Sequence, residues 1–94
     1  MCTWTSERLT VDGHGRGPGG WIRLNSAAVY YDHPVQGTAD HVIVIDLWGD
    51  PGQPSARVAL ELRASSAAEL ARAIDRTLMS PQAQRDLSES AARI

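Results

Sequence analysis

Ninety-four residues and a mass of 10.2 kDa allow one domain, because two would each lack the apolar surface to close a core. A hydrophobic fraction of 43%, a charged fraction of 21% and a net charge of −2 exclude a disordered tail and a polybasic binder, so neither nucleic acid nor anionic lipid is an expected partner. The single cysteine, Cys2, excludes an intrachain disulfide and fits a reducing compartment. Residues 1–8 carry no apolar signal-peptide core, and the longest apolar run, Val42-Ile43-Val44-Ile45, is far too short to span a bilayer. The expected location is cytoplasmic.

In chain order, residues 3–11 mix threonine, tryptophan and leucine and read as a polar edge strand. Residues 13–20 hold five glycines and Pro18 and read as a loop. Residues 21–32 are a second strand, with a bulge or a split at Asn25-Ser26. Pro34 stops it, and Gln36-Gly37-Thr38 supplies a turn. Residues 41–48 alternate Ile43, Ile45 and Leu47 against Val42, Val44 and Trp48. Both sides are apolar, as in a central strand covered on both faces. Asp46 falls among these side chains and needs a cation, for which Arg23 or Arg57 is at hand. Residues 49–54 form a turn, and residues 56–63 alternate with period two, so that Glu61 and Arg63 read as a solvated face.

Ser66 and Glu69 have capping-box spacing ahead of Leu70, Ala73, Ile74, Thr77 and Leu78, the stripe of an amphipathic helix. Pro81 ends this helix or begins another. The predicted fold is α+β, a four-stranded antiparallel meander sheet with one C-terminal helix packed on one face. Residues 1–80 form the domain, and residues 81–94 a polar tail or a short second helix. One helix covers one face of a sheet whose central strand is apolar on two. A second copy of the chain is therefore expected to cover the other, in a homodimer using Trp48 with Trp4 or Trp21.

The candidate site lies around the second hairpin. Asp32-His33 closes one strand and Asp40-His41 opens the next, with Cβ atoms of facing residues roughly 5 Å apart. Two registers are open. If His33 opposes His41, both imidazoles share a face with Tyr31 and Ile43 and are suited to a metal. If the register slips by one, Asp32 opposes His41 and His33 opposes Asp40, the carboxylate–imidazole couples of general acid–base catalysis. The plain structural alternative is that the aspartates cap the turn. A metal needs more ligands than two, and Cys2, His14 or a carboxylate would complete the set. Zinc is the default ion for cysteine and histidine, iron or nickel for histidine with carboxylate.

Gly15-Arg16-Gly17-Pro18-Gly19-Gly20 matches a dinucleotide-binding fingerprint as text, but a strand follows it where a helix is required, so no nucleotide is expected. The same segment, read as a long loop, is able to carry His14 and Arg16 over a ligand. Expected chemistry is therefore a small-molecule or metal site built on His33, His41, Asp32, Asp40 and Tyr31, with hydrolytic, isomerising or cyclising acid–base reactions as the enzymatic form. The alternative is a non-catalytic binding module that uses its dimer groove.

The opening Met1-Cys2-Thr3, the run Val29-Tyr30-Tyr31-Asp32-His33-Pro34, the Ser55-Ala56-Arg57-Val58-Ala59 segment and the alanine-rich helix together resemble a functionally uncharacterised family of short proteins from high-GC bacteria. The resemblance spans nearly the whole chain and implies no activity, cofactor or substrate. It places weight on Tyr30, Tyr31, Asp32, His33 and His41 and takes it from His14, where the loop is variable.

Overall fold

The structure is a computed structural model and describes residues 5–50 and 57–92. Its elements are β1 (Thr5–Gly17), β2 (Gly20–Asp32), β3 (Val42–Trp48), β4 (Arg57–Leu62), α1 (Ala64–Leu78) and α2 (Pro81–Ala92). The strands form one antiparallel sheet in the order β1-β2-β3-β4, the meander that four alternating segments with short links dictate. Two helices follow it where one was expected. The chain divides into two compact units, Met1–Ala64 and Ser65–Ile94. Cys2, Trp4 and the 51–54 part of the expected turn lie outside the described residues.

Register sorts the side chains of the first unit onto two sides. Val42, Val44 and Asp46 of β3 are 3%, 7% and 6% exposed. They share a side with Asp32, Tyr30 and Ala28 of β2 and with Glu61 and Ala59 of β4. Each of the two valines, if fully buried, contributes roughly 1.5–3 kcal/mol of hydrophobic stabilisation. Ile43, Ile45 and Leu47 take the opposite side with Tyr31, Val29, Ala27, Leu62, Leu60 and Val58. The three β3 residues there are only half-buried, and Leu60 is 40% exposed. Trp48 lies on the Val42/Val44 side, half-buried, with the Arg8 guanidinium 5.7 Å from its ring centroid.

The glycine segment is not a loop. Residues 13–17 continue β1 and pair with residues 20–24, so that His14 stands opposite Arg23 and Arg16 opposite Trp21. The turn is Pro18-Gly19, followed by Gly20 at φ +110°, where a Cβ would be penalised. A tight turn followed by a left-handed residue suits the right-handed twist of a hairpin, and glycine supplies that residue. Composition misled because paired backbone needs no side chains. The irregularity expected at Asn25-Ser26 falls in the partner strand: the register shifts between Thr10 and Gly13, so that Val11 and Asp12 together oppose Asn25. A bulge bends its strand. Past it, a Cβ added at Gly15 would come within 3.2 Å of Val58 Cγ2 on β4, the far edge of the sheet. Arg23 ties the bulge down, donating to Gly13 O at 2.9 Å and pairing with Asp12 at 2.7 Å.

In the second unit α1 begins at Ala64, two residues before the capping residue expected at Ser66. Glu69 bonds Arg72 one turn on instead of closing a capping box. The stripe of Leu70, Ile74 and Leu78 is 40%, 53% and 37% exposed. Ser80 caps α2, its Oγ accepting from Ala83 N at 3.3 Å, and Pro81 occupies the first helical position, where its missing N–H is no loss. Among the described residues no helix is long and apolar enough to cross a membrane.

Candidate functional site

β2 and β3 diverge after the Asp32↔Val42 pair. One step further along that register His33 stands opposite His41, the first of the two arrangements open in the sequence. The imidazole centroids are 5.1 Å apart, and Tyr31 lies 5.6 Å from His41. Asp32 Oδ1 accepts from the His33 amide at 2.7 Å, the capping role its position at the strand end invites. His33 Nδ1 lies 3.1 Å from Asp40 O. A carbonyl only accepts, so Nδ1 carries the proton and a neutral His33 has its lone pair on Nε2. Asp40 thus meets His33 through its main chain. Among the described residues no three His, Cys, Asp or Glu side chains are grouped to hold a metal ion, and Cys2 lies outside those residues.

The larger feature lies on the Val42/Val44 side of the same sheet end. Residues 33–39 fold over that side and wall a cleft of about 830 Å³. Val42, Val44 and Ala59 form its floor, and Tyr30, Arg57, Glu61 and Arg63 line it with His33. Pockets of this size, apolar at the base with a few converging polar groups, suit a small molecule.

Two of the charged wall residues, Arg57 and Glu61, have hydrogen-bonded partners that shift their titration. Asp46 is buried and takes two bonds from Arg57, Nε to Oδ1 at 2.7 Å and Nη2 to Oδ2, so of the two arginines at hand Arg57 is its partner. The hydrogen bond and the charge of Asp46 raise the Arg57 pKa. Glu61 accepts from Val35 N at 2.6 Å and from Gln36 N at 2.9 Å, fastening the loop to β4. These backbone bonds, first that of Val35, hold the Glu61 carboxyl below the usual glutamate range. Arg63 joins none of the ion pairs among the described residues.

Because Glu61 has a depressed pKa in the fold, its contribution is present above the unfolded value and lost as pH falls through the folded one. Amide protection of Val35 and Gln36 is therefore expected to weaken as pH drops below the ordinary glutamate value near 4.3. In Glu61→Gln the protection should be weak at every pH. Hydrogen exchange between pH 3 and 7 reads this; equal protection in both proteins would show that the carboxylate does not hold the loop.

Glu61 and Arg63, read as solvated, are wall residues. The signal was available: on β4, Arg57, Ala59 and Glu61 alternate onto the same side as Val42 and Val44, with a small residue between the charges, and Arg63 follows the strand at the same spacing. His14, by contrast, stands on the β1–β2 hairpin beyond the end of β3. No curated protein and no solved structure shows significant similarity to the chain. The family model of DUF6295 matches residues 1–88, and the chain therefore belongs to this family, whose function is unknown.

Proposed function

We propose that the protein binds a small molecule in the cleft at the His33/His41 end of its sheet. The observation that carries the reading is the cleft itself, about 830 Å³ with an apolar floor and polar side chains, Arg57, Glu61 and Arg63 among them, around it. Its test is a titration of the isotopically labelled chain with neutral aromatic fragments such as benzamide. Amide shifts should cluster at Val42, Val44, Ala59 and Gly37 and saturate at millimolar concentration. Ala59→Leu, which fills the floor from an exposed position, should abolish them while the rest of the spectrum holds. Shifts scattered over the surface, or none, would remove the reading.

A second reading rests on the imidazole pair. A ligating histidine commonly donates its other N–H to a carbonyl, the arrangement of His33 Nδ1 and Asp40 O. His33 and His41 alone leave a tetrahedral ion such as zinc short of ligands, and a homodimer supplies a second pair. The half-buried Ile43, Ile45 and Leu47 side supports that assembly. Sedimentation with and without one equivalent of zinc, alongside elemental analysis, tests both parts. A metal-free monomer at micromolar concentration in each sample would overturn them.

A further inference from the structure

We infer that the cleft selects ligands by charge and takes a monoanionic organic carboxylate with an apolar body, a deepening that rests on the small-molecule reading above. Its carboxylates are bonded within the protein, whereas guanidinium donors are left over. Glu61 is bonded by the Val35 and Gln36 amides, Asp32 by the His33 amide, and Asp46, buried beside Arg57 and outside the lining, by that arginine. Arg57 commits Nε and Nη2 to Asp46, and its Nη1 amino group is bonded to no described residue. That side chain is 59% exposed and lines the cleft. Arg63, two residues beyond Glu61 and just past the end of β4, adds a whole guanidinium with no ion-pair partner among the described residues.

The donors left over on Arg57 and Arg63 are planar guanidinium groups suited to a carboxylate fork. The engaged carboxylates still carry charge. Along the lining Asp32 and Glu61 offset Arg57 and Arg63, so the leftover guanidinium donors can meet one carboxylate while a second negative charge on a ligand finds no further counter-charge. Val42, Val44 and Ala59 accept the apolar body. A phosphate dianion meets the same donors but has nothing to place on that floor.

Benzoate, benzamide and inorganic phosphate separate the outcomes when titrated against the full-length chain at pH 7. Benzoate is expected to bind about tenfold more tightly than benzamide, its isosteric neutral counterpart, as one charge-assisted fork predicts. Arg63→Gln, a change at an exposed position, should bring the affinity for benzoate down to that for benzamide. Arg63→Lys should restore part of the difference, because charge returns without the fork. Equal affinities for benzoate and benzamide would overturn charge selection while the cleft reading stands. Phosphate binding tighter than benzoate would overturn the carboxylate assignment, and binding of none of the three would overturn both readings together.

Discussion

Replacing Arg57 with alanine is expected to destabilise the first unit by about 2–4 kcal/mol, the largest effect of any single polar substitution in the sheet. The cost arises mainly at Asp46, not at the exposed arginine. Asp46 has a side chain 9% exposed, and without Arg57 it is a carboxylate out of water with neither its cation nor its two donors. Asp46→Ala should cost less, because the guanidinium left behind is 59% exposed and water can solvate it. The two single variants therefore differ in size although they break the same pair. Denaturant melts of the three proteins at pH 7 check this. Equal losses for the two single variants would show that burial of Asp46 is not what the pair serves.

Gly15→Val is expected to lose about 1–3 kcal/mol by overpacking. A Cβ at Gly15 would sit 2.8 Å from Leu24 Cδ1 and 3.2 Å from Val58 Cγ2, before any branching methyl is added. Leu24 is 5% exposed and has little room to move aside. Gly13 is the control, since a Cβ there meets nothing within 4 Å. Gly13→Ala should stay within about 0.5 kcal/mol of the parent, as surface changes usually do. Leu24→Ala in the Gly15→Val background should recover less than it would if the clash were with Leu24 alone, because Val58 still opposes the added methyls. Thermal melts of the four proteins separate these terms, and indifference to Gly15→Val would mean that the hairpin arm does not close on β4.

The two sides of β3 were legible because a period of two survives in its side chains, and Asp46 announced its need for an arginine by standing among them. The facing of His33 and His41 was legible too, as one of two registers, from their placement on either side of a short loop. Residues 13–17 were not legible as strand, because what makes them one is the backbone of residues 20–24 and not their own composition. The cleft was missed for a related reason. Glu61 and Arg63 look solvated along their own strand, and only the loop that folds back to Glu61 turns that side into a wall. The start of α1 was misplaced because a good capping sequence at Ser66 does not oblige the helix to wait for it.

The meander order also bears on how the chain acquires its shape. Every strand pairs with its immediate neighbour in sequence, so the sheet is able to form hairpin by hairpin. β4 is the last strand in chain order, and it brings Arg57 to Asp46 and Glu61 to the loop amides, with Arg63 just past its end at the cleft. If β4 docks after the other strands, its interactions are absent from the transition state, and their loss is expected to show in the rate of unfolding. The β4 wall of the cleft is then the part of the sheet that sets how long the folded molecule lasts.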